Sequence, residues 1–258
     1  MALKKNVCLI PARYDASRFD GKLLKQLVDK KNNRTKSVIR ETYERMSSYG
    51  LFDEVRVVTN SEIIRDEIEK YGGLTFFSNK YNHNSGTDRI AEAVASMDAE
   101  IIFNVQGDEP FIDRKPLEEL LDLMNNDPSD LLVASLMKWL PDPKHIESSD
   151  YVKVTVSKTN RAITFSRSVV PFPKKEPGLA RYYEHVGVYA FTRKALLAFA
   201  GMQPTPLERV ESVECIRFQE NDIPIRMVET DTFLLEIDTE EDLLRVNSLL
   251  ENGTIRLV

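Results

Sequence analysis

Two aspartates, three basic residues and one short polar stretch have the types and positions to do chemistry together. Asp108 follows an apolar run in Asn104-Val105-Gln106-Gly107-Asp108-Glu109-Pro110, on a turn eased by Gly107. Asp238 repeats the pattern in Ile237-Asp238-Thr239, where a short apolar strand end meets the start of a helix. A carboxylate at a strand end, completed by substrate phosphates, is a common way to hold Mg²⁺, because that ion keeps much of its water shell. Arg13, Arg18 and Lys22 share one loop, Pro11-Ala12-Arg13-Tyr14-Asp15-Ala16-Ser17-Arg18-Phe19-Asp20-Gly21-Lys22. Guanidinium forks fit pairs of phosphate oxygens, and lysine adds a mobile point charge. His83-Asn84-Ser85-Gly86-Thr87-Asp88-Arg89 opens a helix, whose first N–H groups can meet a phosphate, a ribose or a base edge. The chemistry these groups suggest is a magnesium–triphosphate site.

Each feature also has a plainer reading. The loop is equally well explained as a solvated basic turn. Taken alone, Asp238 reads first as the cap of the helix that begins with Glu240 and Glu241. Ser85 or Thr87 is an ordinary N-cap, a role compatible with ligand contact. The sequence leaves these alternatives open. It does exclude two nucleotide-binding classes, since neither GxxxxGK[ST] nor GxGxxG occurs.

The elements that must position these residues alternate. Val7–Ile10, Glu54–Thr59, Leu74–Phe77, Glu100–Val105 and Leu131–Met137 read as short strands. Between them, Thr35–Tyr49, Ser61–Tyr71, Thr87–Met97 and Lys115–Asn125 read as helices. That alternation predicts an α/β fold with a mostly parallel sheet flanked by helices. In such sheets ligands bind at the carboxyl ends of strands, where the loop arginines and Asp108 would lie. After Pro141 the pattern changes. Tyr151–Val156, a turn at Thr159-Asn160 and Ala162–Ser166 predict a hairpin. Tyr182–Phe191 and Ile225–Glu229 follow as strands, Arg193–Ala200, Leu207–Gln219 and Thr239–Leu250 as helices. The expected organisation is one domain over 1–258, with 141–205 an inserted region.

Composition narrows the partners. The 258 residues, 42% hydrophobic and 29% charged, suffice for a packed core without staples. A net charge of −6 argues against a nucleic-acid-binding face, although Lys22–Arg40 is locally basic and suits a small polyanion. Cys8 and Cys215 form no disulfide pattern, and His83, His145 and His185 show no zinc spacing. With no apolar segment of membrane-spanning length, the expected location is the cytoplasm.

The stretches PARYDASRFDGK, HNSGTDRIAE, NVQGDEPFI, FSRSVVPF, YYEHVGVYAF, PTPLERVESVE and IDTEEDL occur in the order and spacing of CMP-Kdo synthetases, the 3-deoxy-manno-octulosonate cytidylyltransferases. The chain resembles that family over nearly its whole length. The resemblance implies a glycosyltransferase-A-like nucleotidyltransferase fold with a smaller dimer-forming sub-layer, hence a homodimer. It implies that CTP and an acidic sugar are the substrates and Mg²⁺ the cofactor. Arg13 and Lys22 would hold the CTP phosphates with help from Arg18. Ser85, Gly86 and Arg89 would seat the cytidine, and the Pro11-Ala12 backbone would read the base. Asp108 and Asp238 would bind the metal, with Gln106, Arg167, His185 and Glu211 around the sugar and Glu214 in the adjoining helix.

The departures are local. Asp20 replaces the proline usual before Gly21-Lys22, and Leu23 replaces the one after. Lys30–Thr35 is a longer polar turn, and Glu214-Cys215 stands where the family has Glu-Gln. Glu236 replaces a glycine two residues before Asp238. A carboxylate there leads to the expectation of an acceptor with an added amino group, such as 8-amino-Kdo, unless Glu236 faces solvent. The other readings are a sialic-acid-like acceptor, a different nucleotide, or a degenerate nucleotide-binding protein.

Overall fold

The computed structural model describes residues 5–15, 19–80, 83, 85–129, 132–232 and 235–258. Arg18, expected to assist at the phosphates, lies outside the described residues, as do Asn84, Leu131 and Phe233-Leu234. The chain forms two compact units, 1–114 with 233–258, and 115–232.

The first unit is built on β1 (Asn6–Ala12), whose Val7–Ile10 stretch is fully buried, as a strand covered on both faces requires. There follow the antiparallel hairpin β2 (Gln26–Asp29) and β3 (Arg34–Ser37), then α1 (Val38–Ser48) and β4 (Glu54–Thr59). Next come α2 (Glu62–Glu69), β5 (Thr75–Phe77), α3 (Gly86–Ala95) and β6 (Ile101–Asn104). β1 pairs in parallel with β4 on one side and β6 on the other, and β4 pairs in parallel with β5. The chain therefore builds β1, β4 and β5 in one direction, then returns to lay β6 on β1's other edge. That reversal is a topological switch point, and the crevice beyond the carboxyl ends of β1 and β6 is where open α/β sheets bind ligands.

The second unit opens with α4 (Arg114–Asn126) and β7 (Val133–Trp139), then α5 (Pro143–Glu147) and the hairpin β8 (Lys153–Val156) and β9 (Ala162–Ser166). β10 (Tyr183–Thr192) is followed by α6 (Arg193–Gly201), α7 (Pro206–Glu211), α8 (Ile216–Glu220) and β11 (Ile225–Thr230). β7 runs parallel to β11 and antiparallel to β10, which also pairs antiparallel with β8. A register shift in β10 between Val186 and Tyr189 marks a bulge. The chain then re-enters the first unit and ends in α9 (Glu240–Asn252), where Asn247 Oδ1 accepts from Val28 N at 2.8 Å.

The alternation of strands and helices agrees with the sequence pattern; three details differ. The helix expected from Thr35 starts at Val38, because residues 34–37 pair with 26–29 across a turn at Asn33 (φ 51°). The helix expected over Leu207–Gln219 is two, broken where Ser212 adopts φ 53°. α5 went unanticipated, although Asp142 caps it and Pro143 occupies its first turn, a standard start signal. Among the described residues, no helix is long and apolar enough to cross a membrane.

Candidate active site

Lys22 joins the two aspartates. Gly21, in the left-handed conformation at φ 60°, turns the chain into a short 3-10 turn that begins at Lys22. The Lys22 ammonium donates to Asp108 Oδ2 and, at 2.5 Å, to Asp238 Oδ1. Burial alone would lower the lysine's pKa, but the two carboxylates outweigh it and hold the pKa above the ordinary value.

Two local devices hold this arrangement. Ile237 N donates to Asp108 O at 3.0 Å, which sets the backbones of the two acidic segments side by side. The cap of α9 is Thr239, not Asp238: its hydroxyl accepts from Asp242 N, and Asp242 Oδ2 accepts from the backbone N–H of both Asp238 and Thr239. The capping box thus takes over the role that position 238 was suited to, and the Asp238 carboxylate is available to Lys22. At the Asp108 turn, a Cβ on Gly107 would meet Ile39 Cδ1 at 2.9 Å and Leu23 Cδ2 at 3.3 Å, so the turn requires glycine to lie this close to α1.

Glu236, an exposed residue, completes an acidic cluster. One carboxylate oxygen from each of Asp108, Glu236 and Asp238 lies within 4.8 Å of the others. Three hard oxygen donors at that spacing, with an ammonium already seated between two of them, fit a small divalent cation.

The remaining first-unit residues surround the same cleft. Pro11, Ala12 and Arg13 enter from the end of β1, Gln106 from the end of β6, and Ser85, Gly86 and Arg89 from the start of α3. Ser85 caps α3 by accepting from Asp88 N at 3.1 Å. A Cβ on Gly86 would lie 3.2 Å from Pro11 Cγ and 3.5 Å from Gln106 Oε1, so a side chain there would narrow the slot between β1 and β6. Arg89 is 6% exposed and donates to Asn60 Oδ1 at 2.8 Å. Burial and then the Arg13 charge lower the Arg89 pKa, so two guanidiniums are held near each other at some electrostatic cost. An anion between them would relieve that cost.

The expected sugar-site residues Arg167, His185, Glu211 and Glu214 belong to the second unit. Glu211 Oε1 accepts from Ser166 Oγ and Oε2 from Arg167 N, each at 2.8 Å, while Arg167 Nε donates to Glu211 O at 2.7 Å. Beneath them, Lys153 is fully buried and donates to the carbonyls of Ser148, Tyr151 and Arg167 at 2.8, 2.7 and 2.6 Å. The β10 bulge turns the carbonyls of Val186 and Val188 toward Ser135 Oγ, at 3.1 and 2.9 Å. Ser135's one proton is committed to that pair, so His185 Nε2, 3.1 Å away, is the donor to Ser135. Burial lowers the His185 pKa to about 4, which makes it a neutral hydrogen-bonding group at pH 7 and not a cation. Glu214 sits in the break between α7 and α8, beside Cys215, whose thiol pKa burial raises.

His83 is more deeply involved than its sequence position suggested. It lines the cleft, and its Nε2 lies 2.7 Å from Glu92 Oε2, which also accepts from Ser78 Oγ at 2.7 Å. No local sequence signal marks the His83–Glu92 pair, which brings a residue from outside the helix onto α3. Asn60, which supports Arg89, gave none beyond following β4.

Comparisons with known proteins identify the family. Residues 7–229 match the family model described as cytidylyltransferase. A Flavobacterium johnsoniae protein named 3-deoxy-manno-octulosonate cytidylyltransferase is 44% identical over 96% of this chain and 99% of its own. A Christiangramia forsetii protein of the same name is 44% identical over 95% of this chain and 96% of its own. Among solved structures, CMP:2-keto-3-deoxy-manno-octonic acid synthetase complexed with CTP superposes with a TM-score of 0.88 at 34% identity, covering 97% of this chain and 100% of that one. With its parallel sheet, its switch-point cleft and relatives matched end to end, this chain belongs to the cytidylyltransferase family, alongside the 3-deoxy-manno-octulosonate cytidylyltransferases.

Proposed function

We propose that the chain activates a 3-deoxy-octulosonate sugar acid with CTP, giving the CMP-sugar and pyrophosphate. The anomeric hydroxyl oxygen bonds to the α-phosphorus and releases its proton to water, the bond from that phosphorus to the bridging oxygen breaks, and pyrophosphate leaves with the electron pair. The observation that carries the reading is the meeting of Asp108 and Asp238 on the Lys22 ammonium, at the carboxyl edge of the sheet. The relatives' shared name supports the acceptor class.

In this reading Arg13 and Lys22 neutralise the triphosphate, with Arg18 as a further cation of the same loop. Ser85, Gly86 and Arg89 seat the cytidine against the Pro11-Ala12 backbone, and Gln106 bridges nucleotide and acceptor. Asp108 and Asp238, joined by Glu236, hold Mg²⁺, which would offset the charge that builds on the phosphate oxygens. Arg167, His185, Glu211 and Glu214 are proposed to serve the acceptor. Arg167 supplies the positive charge opposite its carboxylate, and His185 supplies a neutral donor or acceptor. No covalent enzyme intermediate is required, so catalysis rests on positioning and electrostatics. CTP is a cytoplasmic metabolite, and the cytoplasm is the proposed location. Phe172, Leu179 and Val210 of the second unit are 79%, 75% and 81% exposed, and a second copy covering them would give the proposed homodimer.

The direct test supplies the purified protein with CTP, Mg²⁺ and a panel of sugar acids, reading pyrophosphate release and product mass. CMP-octulosonate formation is expected. Pyrophosphate release only with another nucleotide or a nonulosonate, or CTP binding without turnover, would overturn the proposal.

A further inference from the structure

Lys22 has two sets of partners to choose between. In this structure its ammonium is held by Asp108 and Asp238, and all three side chains are largely enclosed, at 13%, 17% and 18% exposure. With Glu236, the carboxylate oxygens form a cluster within 4.8 Å, where like charges repel one another. Lys22 sets its positive charge against two of them. A divalent ion entering the cluster would compete for the same oxygens and leave a largely enclosed ammonium without those acceptors, an unfavourable state for a charged donor.

A triphosphate changes that balance. Lys22 lines the same cleft as Arg13, Gly86 and Arg89, and its four-carbon stem starts from a turn at the cleft's edge. Phosphate oxygens brought into the cleft would offer the ammonium new acceptors while the ion takes the old ones.

Resting on the nucleotidyl-transfer reading above, we propose that Lys22 is the built-in counter-ion of the divalent-cation site. It blocks the site until nucleotide arrives, so that ion and CTP bind as a pair. The ion alone binds weakly. Because coupling between two ligands is reciprocal, the ion must raise CTP affinity by the same factor that CTP raises the ion's.

The test is Mn²⁺ binding to the full chain, followed by the electron-paramagnetic signal of free Mn²⁺, with and without CTP and with no acceptor sugar present. Wild type, Lys22→Met and Lys22→Gln are compared, each checked for folding by circular dichroism. Without CTP, Lys22→Met should bind Mn²⁺ at least about tenfold more tightly than wild type, and the CTP–Mn²⁺ coupling factor should shrink correspondingly. Lys22→Gln, which keeps a neutral donor of similar reach, should show the same direction and stands in should the methionine variant misfold. Unchanged or weaker Mn²⁺ binding in both variants would overturn the counter-ion role. Wild type that turns over CTP while the variants show no gain would remove this inference and leave the proposed reaction standing. Wild type that binds Mn²⁺ neither alone nor with CTP, and releases no pyrophosphate, would remove the reaction as well.

Discussion

The backbone N–H of Ile237 donates to the carbonyl of Asp108 at 3.0 Å, across a sequence separation of well over a hundred residues. This bond sets the two acidic segments in register. It ties the turn that carries Asp108 to the segment that carries Asp238 through main-chain atoms, so their approach does not depend on either carboxylate. A site built this way tolerates loss of one side chain without losing its frame.

Asp108→Asn and Asp238→Asn are accordingly expected to fold normally and to lose function. Each removes one charged oxygen donor for the cation and one partner of Lys22. A fall in kcat/KM of at least about a hundredfold is expected, as for loss of one preorganised electrostatic group. The melting temperature should change little. Pyrophosphate release and thermal melting measured on the same preparations check both halves of this expectation; a collapse in stability with little kinetic effect would assign the aspartates to structure.

Glu236 presents a sharper choice. Its carboxylate is clustered with Asp108 and Asp238, so its first effect should fall on the cation. Glu236→Gly is expected to raise the half-saturating Mg²⁺ concentration by about tenfold or more, the size of effect found when a group supporting a metal site is lost. The ratio of turnover on Kdo to that on 8-amino-Kdo should stay the same. The opposite result, a changed acceptor ratio at constant Mg²⁺ dependence, would assign Glu236 to recognition of an amino group on the sugar.

Much of this site was legible in the sequence because its parts sit at strand ends, and strand ends are readable from apolar runs. Val7–Ile10 and Glu100–Val105 marked where Arg13 and Asp108 emerge, and parallel pairing did the rest. Asp238 was ambiguous for a physical reason: Asp and Thr at adjacent positions can both cap a helix, and only the Asp242 carboxylate, reaching back three residues, decides for Thr239. Less legible were the short hairpin β2–β3 and the break at Ser212, because neither carries the glycine that usually announces positive φ. The His83–Glu92 pair and the Lys153 cage depend on packing between segments, which local periodicity does not encode.

His185 gives a stability prediction with a defined sign. Its pKa is about 4 in the folded chain, below the ordinary histidine value of 6.5, because burial disfavours the charged ring. Folding therefore excludes a proton that the unfolded chain binds. The stabilising contribution is complete above about pH 6.5 and is lost as the pH falls toward 4. Urea midpoints measured from pH 7.5 to 4 should fall more steeply in wild type than in His185→Gln, which keeps a hydrogen-bonding side chain but cannot titrate. Parallel curves for the two proteins would show that His185 is not the group responsible.

Lys153 should prove a structural keystone of the second unit, with consequences for Arg167. Its ammonium satisfies three carbonyls, one of them Arg167's own, while Arg167's guanidinium donates to the carbonyls of Glu211 and Ser149 at 2.7 Å each. Lys153→Met preserves length and apolar contact but leaves all three carbonyls without their donor in a buried place. A destabilisation of about 2–4 kcal/mol is expected, in the range for disrupting a buried polar network. The Arg167 loop would lose its anchor even where the fold survives. Urea denaturation reads the first effect. The second should appear as a raised KM for the sugar with the KM for CTP nearly constant, since the described residues that line the nucleotide cleft belong to the first unit. An equal rise in both constants would mean that Lys153 supports the fold in general and has no particular hold on the acceptor residues.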